Sequence, residues 1–301
     1  MEHTHNHYIE KSSKTFILTV ILNAIITLVE IAGGLISGSL ALLSDSIHNF
    51  GDTASLVLSY YAMKISVKNR NPKKSFGYKM AEVLAAFVNA SVLLFISAML
   101  IVEAIKRFVS PVEINGNIMI VVAIIGFAAN LLSVILLMKK SKESMNIRSS
   151  YLHLLSDTFS SVGVIIGGFA IKFWEVYWID PLLTILLSLY IIKETFEILK
   201  KTIDILMQSS IDIDYGQMKA KIEEIAGVKN IHHVHTWMSN EKTFYFEAHV
   251  ELDDMLVSES CTILESIEHV LKETYEISHI TIQFETNVCK DKTLFGESPI
   301  K

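Results

Sequence analysis

The sequence predicts a membrane-embedded all-α bundle of six helices, followed by a small α+β domain outside the bilayer. Hydrophobic residues make up 51% of the 301 residues, and the mean hydropathy is +0.42. The long apolar runs lie within residues 15–205, and beyond Met207 they give way to short segments with helix and strand periodicity. Length and composition therefore indicate two domains, of which only the first is apolar enough for a membrane.

Six apolar segments reach the length of about 20 residues that a bilayer requires, and six in succession exclude an ordinary soluble core. They cover residues 16–36, 40–65, 81–109, 118–138, 151–174 and 178–199. Lysine and arginine concentrate before the first segment, in the second and fourth connections and after the last segment, while the first connection has none. The positive-inside rule therefore predicts a multi-pass protein of the cell (inner) membrane with both termini in the cytoplasm, and no cleaved signal peptide is indicated.

The segment after the bundle alternates between helix and strand patterns. Periodicity predicts helices at residues 217–226 and 258–275. It predicts strands at residues 229–238, Thr243–Leu252 and His279–Glu285. The order α-β-β-α-β is typical of a small domain with its helices packed on one face of a sheet, here a cytoplasmic one. We therefore expect four parts: a tail at 1–14, the membrane domain at 15–205, the α+β domain at 206–290 and a loose C-terminal tail at 291–301.

Charge and motif content exclude several classes of protein. The part from Gln208 onward has a net charge of -9 and the remainder a net charge of +3, with no basic domain for nucleic acid. Cys261 and Cys289 are the only cysteines, and a reducing cytoplasm makes a disulfide between them unexpected. Neither a phosphate-binding G-x-x-x-x-G-K-[ST] loop nor an H-E-x-x-H motif occurs, so neither ATP binding nor the commonest zinc-protease chemistry is indicated.

Two histidine–aspartate pairs with the same spacing lie inside separate apolar segments. His48 precedes Asp52 by four residues, and His153 precedes Asp157 by four. Residues at i and i+4 share a helix face, so two such faces would present two imidazoles and two carboxylates to a metal such as zinc. The alternative is that each side chain only makes a helix-packing hydrogen bond. Ionisable groups in a membrane span usually mark a transport pathway, which favours a metal transporter.

Metal ligands must lose their protons before the metal binds, so these four residues can exchange protons for a metal ion without ATP. Asp45 lies about one turn before His48 and either assists the site or caps the second helix. Glu30 and Asn23 in the first segment and Asn130 in the fourth are predicted to form interhelical hydrogen bonds or to line a wet pathway.

Two further sequence patterns predict structure. Small residues spaced four apart indicate close helix packing: Gly163 with Gly167, beside Ser160, and Gly34 with Gly38. Asp180 followed by Pro181 predicts the amino-terminal cap and first turn of the sixth helix.

The α+β domain has a second cluster of metal-binding side chains. His232, His233 and His235 lie on its first strand, His249 on the polar face of the second, Gln283 and Glu285 on the polar face of the third, and Cys261 at the start of the intervening helix. The alternative is a solvated sheet face with incidental histidines, and spacing leaves the ligand set open. The alternation His3-x-His5-x-His7 either gathers metal weakly or has no role.

Several motifs resemble the cation diffusion facilitators, and the nearest likeness is to bacterial zinc, cadmium and cobalt efflux members. The segment from Ser39 to Asp52 is similar to their second-helix signature, and His153 with Asp157 to their fifth-helix pair. The similar segments elsewhere are Phe76-Gly77-Tyr78 with Glu82–Ala86, the run from His232 to Trp237, and His279–Glu285. The likeness extends over nearly the whole chain.

The resemblance implies a homodimer in the lipid bilayer that exports zinc, and also cadmium and cobalt, in exchange for protons. It implies that the two His–Asp pairs are the transport ligands, that zinc is also a regulatory ion, and that no organic cofactor or nucleic acid is bound. In the metallochaperone-like cytoplasmic domain it points to His235, His249 and Glu285, with Cys261 and Gln283 where some members have histidines. Here His233 replaces a usual aspartate, and residues 66–80 contain no aspartate or histidine for a further site.

Two other functional classes remain as alternatives. A metal sensor would change shape on binding zinc but move none across the membrane. A membrane hydrolase with catalytic zinc would need an open coordination position, and four protein ligands leave none.

Overall fold

The computed structural model describes residues 21–138, 145–289 and 292–296. The predictions for His3, His5, His7 and the first residues of the first membrane segment lie outside them. The chain divides into two compact units: residues up to Tyr61 together with Ala85–Leu199, and Ala62–Leu84 together with the residues from Lys200 onward.

Six helices occupy the positions of the six predicted membrane segments. In the described residues they are α1 (Ile21–Ser37), α2 (Leu40–Ser66), α3 (Met80–Val109), α4 (Gly116–Met138), α5 (Met145–Trp174) and α6 (Ile179–Leu206). By length and composition, three of the described helices qualify as membrane spans: α3, α4 and the part of α5 from Tyr151. α2 and α6 interleave polar and ionisable residues with apolar ones. α1 is described over too short a stretch. All six nevertheless match the predicted helical membrane domain.

The first unit is apolar outside and carries polar side chains inside. Phe95, Phe159 and Ile166 have 61–69% of their surface exposed. The Ser44 and Ser188 hydroxyls are instead fully buried and lie 3.3 Å apart, which joins α2 to α6. An apolar exterior of this extent suits a lipid environment, where polar groups are satisfied inside the protein. The chain is a multi-pass membrane protein.

Asp180 caps a different helix from the one that the sequence predicts. Its carboxylate accepts hydrogen bonds from the Ser39 hydroxyl and from the backbone N–H groups of Leu40 (2.9 Å) and Ala41 (3.2 Å), which open α2. α6 itself already begins at Ile179. The prediction of an α6 cap was wrong because a carboxylate can serve any unsatisfied helix amino terminus within reach, including one far along the chain.

Small residues allow close approach between helices, as the sequence predicts. Gly167 of α5 lies directly against Leu183 of α6, and Gly34 of α1 lies against Leu43 of α2. Gly38, in the short α1–α2 connection, has φ +78°, a conformation that side chains disfavour.

The α+β domain has the predicted order of elements. They are α7 (Tyr215–Glu223), β1 (Val228–Asn240), β2 (Thr243–Leu252), α8 (Val257–Tyr275) and β3 (His279–Glu285). In the sheet order β1-β2-β3, β2 pairs antiparallel with β1 and parallel with β3, and α8 forms the crossover. Phe246, Ile267 and Leu271 are fully buried in the core between the sheet and the helices.

The described part of the C-terminal tail lies against the sheet. The backbone N–H of Val234 donates to the carbonyl of Leu294 (2.8 Å), and Lys292 pairs with Glu251 (2.7 Å). The Phe295 ring meets Tyr215 at a centroid distance of 5.1 Å. Residues 292–296 therefore form part of the domain, where the sequence predicts a loose tail.

Candidate metal centre

The two His–Asp pairs converge between α2 and α5. One amphipathic face of α2 carries His48 and Asp52 at i and i+4, and the facing side of α5 carries His153 and Asp157 with the same spacing. One ligand atom from each residue lies within 4.8 Å of the other three. His48 and Asp157 are buried, and Asp52 and His153 are half-buried.

The shortest contacts of this tetrad cross from one helix to the other. His153 Nε2 lies 2.7 Å from Asp52 Oδ2, and His48 Nε2 lies 3.2 Å from Asp157 Oδ1. Within each helix the corresponding histidine–aspartate distance is 3.8 Å. The cross-helix pairs have hydrogen-bond length, so a proton on each imidazole is held by the carboxylate of the other helix.

The same distances suit a tetrahedral metal ion. With ligand bonds of about 2.0 Å, tetrahedral geometry separates the ligand atoms by about 3.3 Å. The four nitrogen–oxygen distances of the tetrad, from 2.7 to 3.8 Å, bracket this value. Small side-chain adjustments would therefore let the four residues bind one ion without moving either helix.

Buried polar side chains surround the tetrad. The Ser160 hydroxyl donates to Asp45 (2.9 Å), which places Asp45 beside the tetrad and outside its group of ligand atoms. Asn49 Nδ2 donates to Glu30 (2.8 Å), which joins α1 to α2 as the sequence predicts. Asn130 is 1% exposed, and neither polar atom of its side chain has a hydrogen-bond partner among the described residues. Such groups in a membrane domain are typical of a hydrated path.

A cavity of about 220 Å³ adjoins the tetrad. Its lining includes His48, Asp52 and Ser55 of α2, together with Asn89 of α3 and Glu194 of α6. All of its lining residues on α2 lie at or after His48 in the chain. The preceding stretch of α2, residues 40–46, is almost completely buried, so along α2 the cavity extends from the tetrad toward the carboxyl-terminal end of the helix.

A second group of side chains that could hold a metal ion lies on the sheet of the α+β domain. His232 Nε2 is 2.8 Å from Glu285, and His249 Nδ1 is 3.4 Å from the same carboxylate. Neither nitrogen makes a hydrogen bond of acceptable geometry, although His232 is completely buried. Two buried imidazole nitrogens that face one carboxylate fit the donor set of zinc.

A bulge in β1 separates His232 from His235. The pairing of β1 with β2 shifts between His232, which is opposite His249, and His235, which is opposite Glu247. His233, within the bulge, has φ +50°. Since His249 and Glu247 are two residues apart on β2, the extra residue leaves His232 and His235 on the same face of the sheet. His232 is buried there beside Glu285, whereas His235 lies further along β1 and is exposed.

The structure therefore gathers only part of the predicted cytoplasmic set. The His233 ring lies 5.0 Å from that of His249, beside the group. Gln283 is opposite His249 in the sheet but exposed, and the exposed Cys261 bonds to its own helix. In the described residues, the group of ligand atoms contains His232, His249 and Glu285, without His235, Gln283 or Cys261.

Comparison with known families and proteins gives matches along nearly the whole chain. Residues 16–207 match the profile of the cation efflux transmembrane domain, and residues 211–287 match that of the cation efflux protein cytoplasmic domain. Both groups of metal-binding side chains lie within these matched ranges.

Curated relatives cover most of the chain. It is 37% identical to a cadmium, cobalt and zinc/H(+)-K(+) antiporter of Bacillus subtilis, over 94% of this chain and 92% of the relative. It is 35% identical to the zinc transporter ZitB of Escherichia coli, over 96% of this chain and 94% of the relative. It is 31% identical to the metal cation efflux system protein CzcD of Cupriavidus metallidurans, over 96% of this chain and 91% of the relative.

Proposed function

Because this chain belongs to the cation diffusion facilitator (cation efflux) family, we propose that it exports zinc from the cytoplasm in exchange for protons, and also accepts cadmium and cobalt. The observation that carries the proposal is the tetrad of His48, Asp52, His153 and Asp157, which converges inside a membrane domain. The names of the relatives, which include zinc, cadmium and cobalt, support the same ions.

The cavity supports an outward direction of transport. With both termini in the cytoplasm of an inner-membrane protein, α2 runs from the outer side to the cytoplasmic side, and its cavity-lining residues follow His48. Asn89 lies early in α3 and Glu194 late in α6, which both correspond to the cytoplasmic half. The ion would therefore reach the tetrad from the cytoplasm, while the buried start of α2 blocks the outer side.

Protons and zinc compete for the same atoms of the tetrad. When His48 and His153 carry protons on Nε2, each proton is held by an aspartate of the opposite helix. Zinc requires neutral imidazole nitrogens and ionised carboxylates, so its binding releases those protons. Rearrangement of the helices then exposes the tetrad to the outer side, where protons displace the metal and reset the site.

Zinc uptake into inside-out membrane vesicles tests the proposal. A vesicle interior more acidic than the medium should drive uptake by the unaltered chain, and a protonophore should abolish it. Zinc binding without any gradient-dependent uptake would contradict antiport and favour the metal-sensing alternative.

Blocking the cavity should slow zinc uptake without preventing zinc from binding at the tetrad. Ala86 of α3 lines the cavity without belonging to the tetrad. Ala86→Trp is expected to slow zinc uptake severalfold, because the indole fills space on the route, while equilibrium zinc binding at the tetrad persists. Initial uptake rates and zinc-binding isotherms on the same preparation check this. Unchanged uptake would contradict the proposed access route.

We further propose that the region 206–290 is a cytoplasmic dimerisation and metal-binding domain, separate from the membrane domain at 15–205. The match of residues 211–287 to the family's cytoplasmic domain supports this division. A homodimer follows from the family resemblance, and the molecular mass of the protein in detergent or nanodiscs tests it.

The cytoplasmic group fits a regulatory zinc ion. His232, His249 and Glu285 would hold it, and zinc would supply a cross-link between all three strands of the sheet. Without it, Glu285 still lies between the two imidazoles and orients them.

His249→Ala and Glu285→Gln should each remove one zinc ion per protomer from purified full-length protein. His235→Ala is the matched control, because His235 is exposed and lies outside the group. Zinc content after dialysis measures the difference, best in an Asp157→Asn background that silences the transport tetrad. If His235→Ala also lost the ion, His235 would belong to the ligand set, as the family resemblance implies.

A further inference from the structure

A polar cavity of about 260 Å³ lies between the α2–α3 connection and the sheet, within the second unit. The connection contributes Arg70, Ser75 and Lys79, and the sheet side contributes Thr243, Ser278 and His279. None of the described residues that line it carries a carboxylate. Cationic groups and hydroxyls that converge on one space form the donor set of a phosphate group.

Packing and hydrogen bonds hold the two sides of this cavity together. The Phe76 ring meets Tyr245 of β2 at a centroid distance of 5.3 Å, edge to face. Lys79 Nζ donates to the Thr243 hydroxyl (3.4 Å). Because β2 and β3 are parallel, their first residues lie at the same end of the sheet, which brings His279 beside Tyr245 (5.5 Å between ring centroids).

The connection itself has a defined conformation. Asn71 Oδ1 accepts hydrogen bonds from the backbone N–H groups of Lys73 and Lys74 (both 3.0 Å), and its amide donates to Tyr78 (2.7 Å). Gly77 has φ +81°, which closes the turn before α3. These contacts position Arg70 and Lys79 before any ligand binds, so less conformational entropy is lost on binding.

The positive charge of this cavity has no ion-pair partner among the described residues. In the part of the chain that the structure describes, neither Arg70 nor Lys79 forms an ion pair. Two lysines of the α+β domain do have such partners: Lys219 pairs with Glu223, and Lys272 with Glu268. Two cations that share a pocket without a carboxylate repel each other, and an anion between them would relieve that repulsion.

Chain connectivity places the cavity at the level of the lipid headgroups. α3 has 30 residues, which corresponds to about 45 Å of helix, close to the thickness of a bilayer with its headgroups. Lys79 directly precedes the first residue of α3, and Arg70 follows the end of α2 by four residues. A membrane-surface position favours a lipid as the source of the phosphate.

We propose that this cavity binds the phosphate group of an anionic phospholipid headgroup. The Arg70 guanidinium and the Lys79 ammonium bind the phosphate oxygens, and the hydroxyls of Ser75, Thr243 and Ser278 donate to those that remain. The bound headgroup holds the α2–α3 connection against the ends of β2 and β3. This site is distinct from both metal centres and does not depend on transport.

Trp237 provides a local probe of the cavity. Its ring stacks on Tyr245, with a centroid distance of 5.2 Å and an interplanar angle of 7°, and Tyr245 lines the cavity. Of the three tryptophans in the sequence, only Trp174 and Trp178 need replacement by phenylalanine to leave Trp237 alone. Full-length protein with these changes is placed in nanodiscs of phosphatidylcholine with increasing phosphatidylglycerol, and the Trp237 emission is followed.

We expect phosphatidylglycerol to produce a saturable change in emission that Arg70→Gln with Lys79→Gln abolishes at every lipid fraction. The matched control is Lys68→Gln with Lys73→Gln, which removes the same charge from the same connection outside the cavity lining. This control should show the same change in Trp237 emission as the protein without either pair of substitutions. Equal loss of amplitude in both double variants, or a full response without Arg70 and Lys79, would show diffuse attraction only and overturn the proposal.

A second arm of the experiment identifies the source of the phosphate. Inorganic phosphate and glycerol phosphate are titrated against the protein in nanodiscs of phosphatidylcholine alone. We expect no saturable response at millimolar concentration. A response as large as that to phosphatidylglycerol would assign the cavity to a free phosphate anion and overturn the lipid assignment.

Discussion

Asp157→Asn is expected to reduce proton-driven zinc uptake by more than about a hundredfold, since even loss of an outer-shell partner lowers metal affinity by about 10–100-fold. The change removes a negatively charged carboxylate of the proposed site from a buried position 3.2 Å from His48 Nε2. It also removes the carboxylate that holds the His48 proton, so metal binding and proton coupling fail together. Asp52→Asn should have the same effect through His153.

The matched control is Glu197→Gln, the same carboxylate-to-amide change at an exposed position on α6. It should leave uptake within about twofold of the unaltered chain, as expected of surface changes. Uptake is measured in inside-out vesicles that contain equal amounts of each protein. Gradient-dependent uptake that survives Asp157→Asn would show that the tetrad is not the transport site.

Asp180→Ala is expected to cause the second large effect, a loss of about 3–5 kcal/mol of stability. The Asp180 side chain is fully buried, and it accepts three hydrogen bonds at the start of α2. Its removal leaves two buried backbone N–H groups without an acceptor, each of which costs about 1–3 kcal/mol. Since α2 carries His48 and Asp52, transport should fall along with stability.

The thermal midpoint of purified protein in detergent measures this loss, which corresponds to a decrease of about 10 °C. Asp180→Asn keeps one side-chain oxygen as an acceptor and should lose less than half as much. An unchanged midpoint in Asp180→Ala would show that water or another group satisfies the start of α2, contrary to the proposed cap.

The predictions that succeeded from sequence concern features that are local in the chain. Apolar segments of membrane length predicted six helices, and alternation predicted the strands Thr243–Leu252 and, approximately, His279–Glu285. The spacing of His48 with Asp52, and of His153 with Asp157, identified four side chains that do converge. Helix geometry fixes which side chains share a face, so an i, i+4 spacing already determines that the two side chains lie on the same side of the helix.

Features that depend on contacts between distant segments required the tertiary structure. Strict alternation along β1 would put His232 and His235 on opposite faces, but the bulge opposite β2 leaves both on the face of His249. Only the pairing of the strands decides that His232, and not His235, joins His249 and Glu285. A bulge has no dependable signature in a single sequence, because it depends on the pairing of two strands.

The sequence alone therefore determined the membrane class of this protein, its order of helices and strands, and the four residues of the tetrad. The tertiary structure decided which helix Asp180 caps, which histidine of β1 faces Glu285, and that Arg70 and Lys79 meet the sheet in one cavity. The physical reason is the range of the interactions: periodicity and spacing act within one element, whereas capping, register and charge clustering depend on which elements the fold brings together.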